Sequence, residues 1–268
     1  MRTIVHLSDL HFGRVNPNIL APLLSFIREL RPTLVAISGD LTQRARSREF
    51  VAAREFLDAI PFPQIVVPGN HDVPLHNLIS RFSHSLDHYQ RYISADLQPF
   101  YADDEVAVAG VNTARALTWK GGRINRRQLA SLRVAMAPIG DDRTKIVVTH
   151  HPFDLPAGAA GRVVGRSRLA IKTLAECRVD VLLAGHFHIA DTGYTAKRYN
   201  IPGYSALIVS SGTSTSTRGR GQPNSINVIR VERPQLTIER HTWRPETRAF
   251  DLFSAERFQR GDQGWIRE

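Results

Sequence analysis

Apolar runs and amphipathic patterns alternate along the first quarter of the chain. Residues 4–7, 34–37 and 65–67 are short, largely aliphatic runs that predict buried strands. Residues 19–30 place apolar side chains at three- and four-residue steps, which predicts a helix, and residues 48–59 predict a second one. Strands that are apolar on both sides are typical of a sheet covered on both faces, so this β-α-β-α-β order predicts a parallel sheet of the α/β class.

The alternation continues with less regularity towards the C-terminus. Further strands are predicted at 106–111, 145–148, 179–184, 206–210, 226–231 and 236–240, and further helices at 125–136 and 167–177. Residues 73–100 are rich in histidine, arginine and aromatic side chains; we predict a helix over 78–93 and interpret the segment as a lid or cap. Residues 244–268 are charged and are interpreted as a C-terminal arm. Since no repeat or linker interrupts the pattern, we predict that residues 1–268 form a single domain.

Side chains that can bind metal follow five of the predicted strands. They are Asp9, His11, Asp40, Asn70, His150, His186 and His188. One such residue at one strand end is more often a cap or a surface residue than a ligand, but the same topological position is used five times here. The carboxyl ends of parallel strands are also where α/β sheets place their ligands.

The residue types and their spacing favour a pair of metal ions. Asp-x-His and His-x-His on an extended chain point both side chains to one face, because the side-chain period of a strand is two. Asp40 stands alone at the middle strand and is the candidate bridge between two ions. A mixture of imidazole and carboxylate suits Fe, Mn, Zn, Co or Ni. Two-metal sites with ions about 3.5–4 Å apart clamp phosphoryl oxygens during in-line displacement.

The set of motifs strongly resembles the calcineurin-like metallophosphoesterase superfamily. The matching segments, in the order of that superfamily, are Asp9-Leu10-His11, Gly39-Asp40, Gly69-Asn70-His71-Asp72, Thr149-His150-His151 and Gly185-His186-Phe187-His188. The resemblance implies a two-sheet α/β/β/α sandwich with its helices outside. It also implies two ligand sets that share Asp40. One metal takes Asp9, His11, Asp40 and His188, and the other takes Asp40, Asn70, His150 and His186.

The same resemblance implies the catalytic roles. His71 faces the substrate phosphate and protonates the leaving oxygen, with Asp72 nearby to orient its ring. The nucleophile is a metal-bridging hydroxide, which is available near neutral pH because bound ions lower the pKa of water. His151 is interpreted as a residue behind the ligands or facing the substrate. The candidate substrate contacts are Asn70, His71, His151, Arg166 and Arg218.

Charge and cysteine content narrow the setting of the protein. The net charge is +10, from 35 basic and 25 acidic residues, which fits either an ordinary basic surface or an anionic partner such as a phosphate, nucleic acid or acidic lipid.

Cys177 is the single cysteine, so no intrachain disulfide forms and a reducing cytoplasm is expected. Residues 1–7 lack the apolar core of a signal peptide, and no stretch is apolar enough to span a membrane. Dimerisation through the lid or the arm is an open possibility.

Within the superfamily, three segments resemble the bacterial branch of cyclic nucleotide and glycerol phosphodiesterases. They are residues 7–13, the Leu41-Thr42 that follows Gly39-Asp40, and Asn112-Thr113. The first hypothesis is therefore a phosphodiesterase acting on a small molecule, with 3′,5′-cyclic AMP as the candidate substrate. The alternatives are a pyrophosphatase for a nucleotide-lipid of the uridine-diphosphate diacylglucosamine type, a nuclease, and a non-catalytic binding module on the same fold.

Overall fold

Two β-sheets lie face to face in the computed structural model, which describes residues 1–74, 85–116, 121–219, 221–262 and 264–268. The strands of the first sheet, in spatial order, are β13 (Gly264–Arg267), β12 (Ala249–Gly261), β11 (Gln235–Arg244), β10 (Ser225–Glu232), β1 (Arg2–Leu7), β2 (Leu34–Ile37) and β3 (Gln64–Val66). Those of the second sheet are β4 (Phe100–Ala102), β5 (Val106–Gly110), β6 (Thr144–Val148), β7 (Val181–Ala184), β9 (Leu207–Ser210) and β8 (Asp191–Tyr194).

Each sheet contains a parallel block. β1, β2 and β3 are parallel neighbours in the first sheet, and β5, β6, β7 and β9 are parallel neighbours in the second. Because parallel strands end at the same edge of a sheet, the polar segments that follow them are gathered together. The block at the other side of β1, from β10 to β13, is antiparallel.

Helices cover the outer face of each sheet. Their bounds are α1 (Pro17–Leu30), α2 (Ser47–Asp58), α3 (Asp87–Tyr92), α4 (Arg126–Met136) and α5 (Ser167–Glu176). α1 and α2 share one apolar cluster with β1 and β2, and α4 and α5 share another with β5 to β7. A third cluster lies between the sheets and includes Ile4, Leu34, Val108 and Ile146. The predicted α/β/β/α sandwich is therefore confirmed.

Local sequence sets the start of the two best-capped helices. The Asn16 side chain accepts from the backbone N–H of Asn18, and Pro17 occupies the first turn, where its missing N–H costs nothing. Asn125 accepts from the backbone N–H of Gln128, whose side chain in turn accepts from the N–H of Asn125. Within the described ranges, no helix is long and apolar enough to cross a membrane.

Part of the segment interpreted as a lid, residues 73–100, is seen in the structure. Residues 75–84 lie outside the described residues, and the helix predicted over 78–93 is seen as α3, from Asp87 to Tyr92. Tyr89 is fully buried and donates its hydroxyl to the carbonyl of Val66, 2.9 Å away. Tyr92 stacks on Phe50 of α2 with ring centroids 6.2 Å apart. This part of the segment therefore belongs to the packed helix layer.

The segment interpreted as an arm is the end of the first sheet. β12 pairs with β11 along its length and β13 pairs with the last residues of β12. The indole N–H of Trp265 donates to the buried carboxylate of Asp180, 3.1 Å away at the start of β7, and Arg260 pairs with the same carboxylate. The C-terminal strands therefore connect the edge of the first sheet to the second sheet.

Candidate metal centre

The five strand ends meet between the two sheets, and their backbone is unusual. Asp9, His11, Asp40, His186 and His188 all have φ between 50° and 78°. This left-handed region is sparsely populated by residues other than glycine, and such conformations are concentrated at functional sites. The spacing argument that assumed an extended chain is wrong in this detail. The two side chains of Asp9 and His11, and those of His186 and His188, point into the site because their backbones adopt the left-handed conformation.

One group of side chains contains Asp9, His11, Asp40 and His188, all of them buried. Nε2 of His188 lies 3.2 Å from Oδ1 of Asp9 and 3.1 Å from Nε2 of His11. Nε2 of His11 lies 3.7 Å from Oδ1 of Asp9 and 3.7 Å from Oδ2 of Asp40. These four residues are the set that the resemblance implies for the first metal.

A second group adjoins the first and contains Asn70, His150 and His186. Oδ1 of Asn70 lies 3.1 Å from Nε2 of His150 and 2.9 Å from Nδ1 of His186. The two imidazole nitrogens are 3.2 Å apart. Oδ1 of Asp40 lies 3.4 Å from Nε2 of His150. Asp40 thus turns one carboxylate oxygen towards each group, which is the arrangement expected of a bridging ligand.

The donor atoms fit two bound transition-metal ions. Ligand bonds of about 2.0–2.2 Å place neighbouring ligand atoms about 2.8–3.6 Å apart, and the distances between donor atoms given above run from 2.9 to 3.7 Å. Oδ1 of Asp9 is buried and has no hydrogen-bond partner among the described residues, although an uncompensated buried carboxylate oxygen is costly. Nδ1 of His150 faces the carbonyl of Ser38 at 2.8 Å, and Nδ1 of His188 faces that of Arg218 at 3.0 Å. Because a carbonyl only accepts, these Nδ1 atoms carry the protons and Nε2 presents a lone pair inward.

Burial and neighbouring charges prepare the site for cations. Burial lowers the pKa of His11 to about 3 and that of His186 to about 4, so both rings are neutral and able to act as ligands. Burial opposes ionisation of Asp9, but the nearby His188 holds the pKa of that carboxyl well below its usual range. Burial likewise opposes ionisation of Asp40, yet His150 and its neighbours lower its pKa.

Two glycines are required because other atoms occupy the place of a side chain. A Cβ on Gly69 would lie 2.1 Å from Oδ1 of Asp40, and a Cβ on Gly185 would lie 1.8 Å from Oγ of Ser8. Gly69 has φ −103°, a conformation open to other residues. Its role is therefore to make room for the Asp40 carboxylate.

His71 lies beside the first group, but Asp72 does not orient its ring. Nδ1 of His71 is 2.8 Å from the carbonyl of Gln43, which fixes the ring instead. The Asp72 carboxylate accepts from the backbone N–H groups of Gly69, Leu41 and Thr42 and from the Thr42 hydroxyl. The role predicted for Asp72 is corrected accordingly. It joins the loop after β2 to the loop after β3 and holds the backbone that carries Asp40 and Asn70.

His151 is fully buried beside the second group. Its ring centroid is 4.6 Å from that of His186, and Nδ1 is 2.8 Å from the Thr113 hydroxyl. The same hydroxyl accepts from the backbone N–H of His151, 3.3 Å away. Nε2 of His151 has no partner among the described residues.

The two arginines predicted to contact substrate occupy different environments. Nη1 of Arg218 lies 3.1 Å from Nε2 of His71 and 3.4 Å from Oε1 of Gln43. Arg166 is exposed immediately before α5, and none of the contacts seen among the described residues links it to the metal-competent groups. The structure therefore places Arg218 beside His71, whereas no contact among the described residues connects Arg166 to the site.

The Ser/Thr-rich segment that precedes Arg218 supports one of the loops that carry the metal-competent residues. Thr213 and Thr215 donate their hydroxyls to the carbonyls of Asp9 and Leu10, each at 2.7 Å. Ser214 accepts from the backbone N–H of Ser8. These buried hydroxyls hold the loop that carries Asp9 and His11. A hydroxyl-rich run that follows an apolar strand was the only sequence signal for this.

The fold and the site together define the class of this protein. Residues 2–190 match the model of the calcineurin-like phosphoesterase family, so the chain belongs to that family and the resemblance of its motifs is confirmed. The family and the His/Asp cluster together indicate a dinuclear metal site.

More particularly, the chain is similar to the glycerophosphodiester phosphodiesterase GpdQ of Enterobacter lignolyticus (strain SCF1). The two are 28% identical over 59% of this chain and 59% of the relative, so the chain matches little more than half of that protein's length. Among solved structures, the purple acid phosphatase PPD1 of yellow lupin has a TM-score of 0.72 at 13% identity, over 96% of this chain and 53% of its own. A dimetal phosphatase of Danio rerio has a TM-score of 0.66 at 13% identity, over 94% and 99%. These two likenesses show the shared fold.

Proposed function

We propose that the chain is a dinuclear-metal-dependent phosphodiesterase that acts on a small phosphodiester. The observation that carries the proposal is the position of Asp40. Its two carboxylate oxygens face two separate groups of buried imidazole, carboxylate and amide ligands. The proposed ligands of one ion are Asp9, His11, Asp40 and His188, and those of the other are Asp40, Asn70, His150 and His186. The histidine-rich donor set suits ions of the Fe, Mn or Zn type.

When bound, the two ions would supply a hydroxide nucleophile and neutralise charge on the phosphoryl oxygens. The protein residues hold them and fix the rest of the geometry. Asp9 and Asp40 provide the negative charge that favours cations in a buried site, and the neutral rings of His11 and His186 add no repulsion. The carbonyls of Ser38 and Arg218 hold the orientation of His150 and His188.

His71 is the proposed general acid. The Gln43 carbonyl keeps Nδ1 protonated and directs Nε2 outward, next to the first ligand group. In the present structure Nε2 accepts from Arg218. In the substrate complex the leaving oxygen would take that place, and Nε2, after taking a proton from solvent, would transfer that proton to the leaving oxygen.

His151 is the proposed donor to a non-bridging phosphoryl oxygen. The Thr113 hydroxyl already accepts from the backbone N–H of His151, so its own proton is free for Nδ1. The remaining ring proton is then on Nε2, which is buried and unpaired among the described residues. An unpaired buried donor beside a phosphate site is the type of group that stabilises developing charge.

The substrate proposal is a small diester, with 3′,5′-cyclic AMP as the first candidate to test. Its support is the sequence branch described above and the similarity to a glycerophosphodiester phosphodiesterase. A cytoplasmic location fits the single free cysteine, Cys177. The homodimer suggested by the sequence stays a prediction.

Phosphorus NMR of cyclic AMP and of methyl 4-nitrophenyl phosphate, each incubated with the Mn²⁺-loaded protein, tests this function. We expect metal-dependent hydrolysis that a chelator abolishes and added Mn²⁺ restores. Formation of 5′-AMP would support cyclic nucleotides as substrates, whereas cleavage of the aryl ester alone would keep the mechanism and exclude that substrate. Failure of the metal-loaded protein to cleave either diester would overturn the proposal.

A further inference from the structure

Three loops that are far apart in the sequence meet on one side of His71. The backbone N–H of Gln43 donates to the carbonyl of Phe12 at 2.9 Å, and that of Thr217 donates to the carbonyl of Arg14 at 2.8 Å. The Arg218 side chain completes the connection through its contact with Oε1 of Gln43. The loop after β1, the loop after β2 and the loop after β9 therefore form one continuous surface at this side of the site.

Each loop carries an arginine at this surface: Arg14, Arg44 and Arg218, which we call the arginine rim. Arg14 and Arg44 are exposed, and Arg218 is partly buried against His71. Among the described residues, none of the three guanidinium groups forms an ion pair, whereas Arg2, Arg230 and other arginines of the chain do. The backbone contacts between the loops place the three arginine-bearing segments side by side.

The carboxylate of Glu49 lies near the arginine rim but does not neutralise its positive charge through an ion pair within the described ranges. Glu49 is 5% exposed, and its Oε2 accepts from the backbone N–H groups of Arg44 and Arg46. It acts as the cap of α2 and, among the described residues, forms no ion pair with a guanidinium group. A cluster of cations on loops at the mouth of a site attracts anionic ligands and increases their local concentration.

The position of the rim relative to His71 determines which part of a substrate it meets. In the proposed hydrolysis, the hydroxide oxygen bonds to phosphorus and the P–O bond to the leaving group breaks. The bonding electrons stay on the leaving oxygen, which takes its proton from Nε2 of His71. The leaving group therefore departs on the His71 side, towards Arg14, Arg44 and Arg218.

We propose that the arginine rim binds a second anionic group on the leaving half of the substrate. This inference rests on the proposed function and predicts a preference for phosphodiesters and phosphoanhydrides whose departing half carries a further phosphate or carboxylate. A nucleoside diphosphate joined to another group meets this requirement, because cleavage at its inner phosphorus releases a phosphate monoester. Cyclic AMP has no second anionic group, so the rim would not contribute to its hydrolysis.

Two chromogenic diesters that differ in one charge test the proposal on the Mn²⁺-loaded full chain. Methyl 4-nitrophenyl phosphate and methyl 3-carboxy-4-nitrophenyl phosphate both release a nitrophenolate, and the methyl group fixes which side leaves. We expect kcat/KM to be about tenfold higher for the carboxylated ester. Because the rim is exposed, the preference should shrink as salt is raised from low to high concentration.

The double variant Arg14→Gln/Arg44→Gln should bring the kcat/KM ratio of the two esters close to one. Neither side chain contacts the metal-competent residues, and both are exposed, so the fold should be retained, as circular dichroism can verify. The matched control is Arg31→Gln/Arg143→Gln, which removes the same charge next to the starts of β2 and β6, at the opposite edge of the sheets. This control should keep the preference.

The possible outcomes separate this inference from the function on which it rests. Equal kcat/KM for the two esters in the wild-type protein, at low salt, would overturn the role of the rim while leaving the phosphodiesterase intact. A preference that survives in Arg14→Gln/Arg44→Gln would overturn the assignment to these arginines. Hydrolysis of neither ester would overturn the proposed function itself.

Discussion

Oδ1 of Asp40 lies 3.4 Å from Nε2 of His150, while Oδ2 of the same carboxylate faces His11 at 3.7 Å. The Asp40→Ala variant should therefore lose both ions, since each group loses the carboxylate oxygen that faces it. We expect metal analysis after desalting to fall from two ions per chain to less than one, with nearly all diesterase activity lost. The exposed Asp142→Ala variant is the control and should keep both ions. Two bound ions in Asp40→Ala would show that Asp40 is not the bridge.

His71→Ala should keep both ions and lose activity in a way that depends on the leaving group. The Gln43 carbonyl positions the ring to protonate the leaving oxygen, so the loss should be about 10²–10⁴-fold for alkyl esters and much smaller for nitrophenyl esters. A series of aryl and alkyl methyl phosphates measures this as a steeper dependence of kcat on leaving-group pKa. The same loss for all esters would argue against proton transfer by His71.

His151→Ala should retain two ions but lower kcat about 10²-fold, because it removes the buried Nε2 donor beside the phosphate position. His151→Gln, which keeps an N–H donor, should recover part of the loss. The number of bound ions distinguishes a residue that contacts the substrate phosphate from a residue that binds a metal. If His151→Ala binds only one ion, His151 is a ligand of the second group and the proposed contact is incorrect.

Thr215→Val tests the support of the ligand-bearing loop. The substitution keeps the shape and leaves the buried Leu10 carbonyl without its hydroxyl donor, which should lower the free energy of unfolding by about 1–3 kcal/mol. Thr217→Val is the matched control, because its hydroxyl bonds to the Arg14 carbonyl at an exposed position. Urea denaturation measures the free energy of unfolding of both variants. An equal decrease in both would show that the buried hydrogen bond contributes no more to stability than the exposed one.

Asp103 gives a pH-dependent contribution to stability that is separate from the metal centre. Burial opposes its ionisation, but the N–H groups of Val106 and Glu105 and the Arg2 guanidinium lower its pKa. A lowered pKa in the folded state stabilises the protein above the unfolded pKa of about 3.9, and this contribution is lost as the pH falls through the folded value. Asp103→Asn should therefore be less stable than wild type at pH 7, with the difference shrinking below about pH 4. A constant difference in urea unfolding across this range would contradict the assignment.

The parts of the site that the sequence predicted are those produced by regular structure. Short apolar runs fixed the positions of β1, β2 and β3, and parallel strands must end at one edge of a sheet. The side chains that follow them, Asp9, Asp40 and Asn70, were therefore expected to lie close together. The imidazole, carboxylate and amide groups at the strand ends predicted that the site binds metal ions.

The parts that were missed depend on contacts between distant loops. The Gln43 carbonyl that orients His71 is a backbone group and has no sequence signal. The hydroxyls of Thr213 and Thr215 bond to residues more than 200 positions away. β12 has an exposed edge beyond the residues paired with β13, with Leu252 and Phe253 56% and 61% exposed. Apolar and polar residues do not alternate along the full length of β12, so the sequence pattern did not predict a strand there.

β1 lies in the interior of the first sheet, between β2 and β10, and its following loop is held by residues 213–215. A ribosome makes β1 first and β10 only when about 230 residues have been joined. Until then, one side of β1 has no neighbour and the loop that carries Asp9 and His11 lacks its support. The metal centre is therefore expected to assemble late in biosynthesis, after nearly the whole chain has emerged.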